Sequence, residues 1–171
     1  MRMGSCFVGA GVVACLLVHG VCESQLANTT AAESVDTAQR TRSGLVALYD
    51  FSSPSGEFVK DRSGVGDPVN LRITNPHAVR RSKGSLEVRA ATLIRSDKPA
   101  LRVIDAIRRS GEITVEAWIR PANTNQDGPA RIVTLSNNAT LRNFTLGQDG
   151  DRIDARLRTT KTSNNGIPSV T

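Results

Sequence analysis

Residues 112–119, EITVEAWI, decide the fold of this chain. Ile113, Val115, Ala117 and Ile119 alternate with Thr114, Glu116 and Trp118. Successive side chains leave a strand on opposite faces, so a period of two describes a strand with one apolar face. The same period recurs on both sides. Toward the N-terminus, Val69, Leu71 and Ile73 alternate with Asn70 and Arg72, and GLVALYDF (44–51) is a mostly apolar run ending at the turn formers of 52–56. Toward the C-terminus, RIVTLS (131–136) and NFTLG (143–147) are shorter strand candidates. In RIDARLRTT (152–160), Ile153, Ala155, Leu157 and Thr159 are expected to face in, and Asp154, Arg156, Arg158 and Thr160 to face out. PANTNQDGPA (121–130) and SNNATLRN (136–143) read as connections. Short strands punctuated by turns predict an all-β antiparallel sandwich.

One segment breaks the period. In SDKPALRVIDAIRRSG (96–111), Leu101, Ile104 and Ile107 fall three apart, with Ala100 and Val103 in the same stripe. Ser96 or Asp97 can cap the start, Pro99 suits the first turn, Arg108 and Arg109 suit the last, and Gly111 offers a left-handed stop. This predicts one short helix beside the sheets.

The 171 residues carry 22 Lys+Arg against 16 Asp+Glu, and 39% are apolar with 4% aromatic. That is enough apolar material for one packed core. Cys6, Cys15 and Cys22 all lie in the first 22 residues, which excludes a disulfide-stapled mini-protein. Arg2 precedes an uncharged stretch to Cys22, densest over 7–21 (FVGAGVVACLLVHGV). A positive start, an apolar run and small residues after it describe a signal peptide over 1–22, and hence a secreted, periplasmic or envelope-associated protein. An uncleaved N-terminal anchor is the second reading, because the stretch is close to the minimum spanning length. Residues 23–43 are small and polar, and read as a flexible linker to a domain over 44–171. The N-x-[ST] triplets at Asn28, Asn138 and Asn143 would be glycosylation acceptors only in a eukaryotic secretory host.

Three phrases in order carry a family resemblance: GLVALYDF…VKDRSGVGDPVNLRI, then GEITVEAWIRPAN…ARIVTLS, then RNFTLGQDGDRIDARLRTT. Together they resemble a laminin-G-like (LamG) domain of the concanavalin A-like lectin/glucanase superfamily, in its secreted bacterial subgroup. The strand running through Trp118 to Pro121 is the most telling element. The resemblance covers 44–171 and implies a jelly-roll sandwich of two antiparallel sheets. It also implies closing strands that are not found before Thr171, so the sandwich reads as incomplete, with open edges that another chain could pair. A truncated gene and a fragment completed by a partner both fit.

The superfamily includes glucanases, which makes paired carboxylates worth testing. Glu112 and Glu116 share a strand face, but four strand steps separate them by about 13 Å. Glycosidase pairs stand about 5 to 5.5 Å or roughly 6.5 to 9.5 Å apart. Thr114 occupies the position between them where an acid would be needed, and His77 is the one histidine beyond the leader. A non-catalytic role is therefore expected. Asp149, Asp151 and Asp154 offer closely spaced oxygens for a possible calcium ion. They match neither an EF-hand nor a glycine-rich calcium repeat, and polar turn formers at a hairpin tip are the favoured reading. Asp61 at the turn 61–64 is expected to make an Asx-type bond to backbone N–H.

From Gly44 onward there are 19 Lys+Arg against 13 Asp+Glu, mostly arginine. Guanidinium groups suit bidentate contacts with carboxylate or sulfate, and Arg156 and Arg158 share a strand face. Arg80, Arg81 and Lys83 are expected to cluster in one loop. Trp118 could be a sugar-stacking platform or a packed residue under a covering element. A carbohydrate or acidic surface polymer is the expected ligand, bound through Trp118, Arg156 and Arg158. Surface charge that merely solubilises the domain is the alternative. Nucleic acid is excluded as a partner, because the outer face offers neither a recognition helix nor stacking aromatics.

Overall fold

The computed structural model describes residues 13–17 and 43–171. Strands β1 (Val13–Leu17), β2 (Leu45–Tyr49) and β8 (Thr114–Trp118) form one antiparallel sheet in the order β2-β1-β8. Strands β9 (Gln126–Ser136), β10 (Arg142–Gly150) and β11 (Arg152–Leu157) form a second, in the order β11-β10-β9. The chain between β2 and β8 supplies β3 (Phe58–Val59), β4 (Leu71–Ile73) and β7 (Ile94–Ser96), ordered β3-β4-β7, and the hairpin β5 (Val79–Ser82) and β6 (Ser85–Val88). One helix, α1 (Leu101–Ser110), precedes β8. The described residues are thus antiparallel β-sheets with one short helix, the all-β class that the period of two predicts.

Two apolar clusters hold these layers. In the first, Val46 and Ala47 of β2 and Val103 of α1 meet Phe144 of β10, with Val115, Val133 and Leu135 packed around them. In the second, Phe51, Val59, Ile73 and Leu86 join the smaller sheets. Phe51 takes a positive φ of 51° to place its ring there. Such a backbone costs a non-glycine residue about 1 to 2 kcal/mol, and burial of a phenylalanine ring is large enough to offset it.

Several expectations need correction. The helix stops at Gly111, whose φ of 72° is left-handed and whose N–H donates to Ile107 O. At its start, however, Ala100 is the cap residue and no side chain caps it. Asp97 instead takes Arg72 in a bidentate pair, with Nη2–Oδ2 at 2.7 Å. Within the expected stripe, Val103 is buried and Ala100 and Ile107 pack against the first cluster, but Leu101 is 61% exposed. The loop over 121–130 is shorter than expected, since β9 already begins at Gln126 and carries Pro129. Proline is tolerated there because β9 is an edge strand. Arg80, Arg81 and Lys83 sit on a hairpin, not in an open loop.

The faces of β11 come out inverted in exposure. Leu157 and Ala155 pair in register with Phe144 and Leu146, and so share their face. Yet Ile153 is 39% exposed and Leu157 44%, while Asp154 on the other face is buried. Of the segment read as an export signal, Val13–Leu17 form β1 of the first sheet; its other residues, and 23–42 of the linker read over 23–43 with Asn28 among them, lie outside the described residues.

Candidate functional site

The second sheet carries four arginines, Arg131, Arg142, Arg152 and Arg156. Across it, Thr134 of β9, Thr145 of β10 and Arg156 of β11 stand in one row, and Arg131, Gly147 and Asp154 stand in the next. The Thr134 and Thr145 hydroxyls lie 2.7 Å apart, which fixes them on a common face, and Thr134 Oγ1 also donates to Phe144 O at 2.9 Å. On β11, Arg156 Nε donates to Asp154 Oδ2 at 2.6 Å. The Asp154 side chain is 3% exposed and that of Arg156 is 14% exposed. Two residues apart on a strand means one face, so the sequence spacing itself makes this pair possible.

Arg142 joins the group from the start of β10. Its Nε and Nη2 donate to Ala139 O at 3.2 and 2.8 Å, and its buried Nη1 has no hydrogen-bond partner. Burial pushes the Arg142 guanidinium below its ordinary pKa, and the positive charges of Arg131 and Arg156 push it further, against the pull of Asp154. Arg142 thus feels the charges of Arg131, Arg156 and Asp154 together. The unused buried donor at Arg142 Nη1 suits an anionic or strongly hydrogen-bonding ligand rather than a cation. Arg158, just past the end of β11, is exposed at the rim; its backbone N–H donates to Asn143 O at 2.8 Å. Gly166 closes the other side: its φ is 71°, and a Cβ there would lie 3.0 Å from Arg156 Cβ.

The remaining candidates fall elsewhere. Trp118 belongs to the first sheet, is 63% exposed, and its Nε1 donates to Glu116 Oε1 at 2.8 Å. It is therefore not covered by a packing element. Asp149 and Asp151 are exposed at the β10–β11 hairpin, where Asp149 pairs in register with Arg152. Asp154 is committed to Arg156. Among the described residues no three His, Cys, Asp or Glu side chains gather as metal ligands.

Sequence reasoning missed one further centre and saw only part of another. Arg81 turns inward and its Nη1 donates to Ser55 O, Gly56 O and Phe58 O at 2.8–2.9 Å. Burial pushes its pKa down. It lines an open cleft of about 480 Å³ with Glu57 and His77. The alternation Val79-Arg80-Arg81 before a Lys83-Gly84 turn was the available signal for that hairpin. The second centre is Asp61, whose side chain is wholly buried. It accepts from the backbone N–H of Leu48, Ser63 and Val69 at 2.9–3.2 Å, and from the Arg102 guanidinium. The Ser63 bond is the expected Asx turn. The other bonds tie β2 and α1 to the same turn, which marks Asp61 as a structural node.

No protein-family model, curated protein or solved structure matches the chain. None of the described helices is long and apolar enough to cross a membrane.

Proposed function

We propose that the chain is an exported, non-catalytic binding module with a laminin-G-like jelly roll, and that it holds an acidic polysaccharide against the β9–β11 sheet. The observation that carries this reading is Arg142, whose buried Nη1 has no hydrogen-bond partner, on the sheet where Arg156 holds the buried carboxylate of Asp154, with Arg158 exposed just past the end of β11. Sulfate and carboxylate groups on a polymer meet guanidinium forks with paired, charge-assisted hydrogen bonds. Exposed Trp118 supplies a second contact of a different kind, a flat face for a sugar ring. Nucleic acid is not the proposed ligand, because an exported protein is separated from it.

Glycan-array binding and chromatography on heparin or another sulfated polymer test the proposal. Retention at low salt that falls in Arg158→Gln is expected. No retention on any anionic or neutral glycan at low salt overturns it.

A second reading is favoured by a different feature. The apolar face of β11, with Ile153 and Leu157, is left uncovered, and Val170 beside it is 75% exposed. A chain with such a face suits an assembly role in which another polypeptide completes the sheets.

A further inference from the structure

We propose that the gap between β2 and β8 is an acceptor for one extended, uncharged apolar strand, and that a second polypeptide fills it once the N-terminal segment has been removed. The inference rests on the reading of 1–22 as a cleaved export signal. It names the place and the chemistry of the partner that the assembly reading requires.

The geometry shows what the acceptor takes. Strand β1 lies between β2 and β8 and runs antiparallel to both. Five residues suffice: Val13 to Leu17 pair with Trp118 to Thr114 on one side, and Ala14 to Leu17 pair with Tyr49 to Leu45 on the other. The ladder to β8 runs without interruption, and that to β2 shifts between Leu16 and Leu17. Without this strand, β2 and β8 do not pair with each other, so both lose a ladder at once. Each then presents unpaired N–H and C=O groups along an edge.

The edges exposed in this way are not peripheral. Val46 and Ala47 of β2 are buried in the first apolar cluster, and Val115 of β8 packs against it. Leu45 is also buried. An occupant with a charge at the position of Leu16 would bring it to the register position between buried Ala47 and half-buried Val115, at a cost in lost solvation. The segment that fills the gap here, VACLL, carries no charge. Main-chain pairing to two edges gives affinity, and the apolar requirement gives selectivity, as in other strand-addition sites.

The acceptor and the export signal impose opposite demands on the same residues. If 1–22 is cut away, β1 goes with it, and the mature chain is left with a vacant gap between β2, whose first three residues are buried, and half-buried β8. A short apolar strand from a second chain restores both ladders. Residues 13–17 are then a stand-in that shows the partner's chemistry.

The test keeps the full chain intact until it has folded. A protease recognition sequence is inserted between Ser24 and Gln25, and the folded protein is cut there. A labelled peptide of sequence GVVACLLVH, flanked by lysines for solubility, is then added in excess. The N-terminal fragment is expected to co-elute with the body until the peptide displaces it, at one peptide per body. Replacing the central leucine pair by arginines is expected to weaken displacement by about tenfold or more. Hydrogen exchange at Ala47 and Val115 should slow again when peptide occupies the gap. If the fragment dissociates and the body keeps its melting temperature and its slow exchange, the acceptor does not exist. If both peptides displace the fragment equally, the stated chemistry is wrong. N-terminal sequencing of the exported protein separately reports whether the leader is removed, and glycan binding separately reports on the arginine face.

Discussion

Asp61 shows how much one side chain can organise. Its carboxylate satisfies three backbone N–H groups and the Arg102 guanidinium at no exposure of its own. Asp61→Ala would strand all four donors and is expected to cost about 3 to 5 kcal/mol, read as a loss of denaturant midpoint. Burial alone would raise the Asp61 pKa, but hydrogen bonds from the Ser63, Val69 and Leu48 amides and the Ser63 hydroxyl outweigh it and hold the pKa below the ordinary value. The folded state therefore binds this proton more weakly than the unfolded chain. Its stabilisation is fully present above the ordinary aspartate value of about 3.9 and is lost as pH falls through the lower folded value. Melting temperature should drop steeply below that point in the wild type and less steeply in Asp61→Asn. Asp154 makes a related statement about metal. Because its carboxylate is engaged by Arg156, millimolar calcium and a chelator are expected to give the same melting temperature. A rise with calcium that Asp151→Asn abolishes would reverse that expectation.

At the scale of elements, what could be read from sequence was whatever chemistry is local. The stop of α1 was legible because Gly111 alone settles it: its φ of 72° suits glycine. Gly111→Ala is expected to destabilise by about 1 kcal/mol, measured by chemical denaturation. The inward stripe of α1 holds at Ala100, Val103 and Ile107 and fails at Leu101, because the helix sequence does not say where the flanking layers end. Val103 faces β2 and β10, so Val103→Ala should cost about 2 kcal/mol, whereas Leu101→Ala at an exposed position should cost less than 1 kcal/mol. Strand β11 teaches the same lesson. The period of two put Ile153, Ala155 and Leu157 on one face and expected it to face in, yet all three are exposed, because which face is covered depends on a second layer, and that is a tertiary fact. The burial of Asp154 was hidden for the opposite reason: an aspartate reads as outward until its partner, two residues on, is seen to neutralise it. Residues 126–130 read as a loop because Gly128 and Pro129 are breakers in most settings, and an edge strand is the setting that admits them.

For the whole molecule, the question is whether the arginines form a site or only a charged surface. The chain carries a formal net charge of +6, and the excess lies from Gly44 onward. Either reading predicts attraction to an acidic polymer that weakens with salt, since the screening length falls from about 8 Å at physiological ionic strength to about 3 Å at 1 M. Salt dependence alone therefore decides nothing. Position does. Arg80, exposed on β5, and Arg158, exposed at the end of β11, remove the same charge when each is changed to glutamine. A diffuse field responds to both substitutions alike, because it depends on summed charge. A site responds to the one at its rim. Calorimetric titration with a sulfated oligosaccharide at fixed low salt is expected to show Arg158→Gln weaker than Arg80→Gln by about fivefold, roughly 1 kcal/mol. Equal losses would reduce the basic face to a solubilising surface, and would leave the strand acceptor between β2 and β8 as the binding feature that the fold supports.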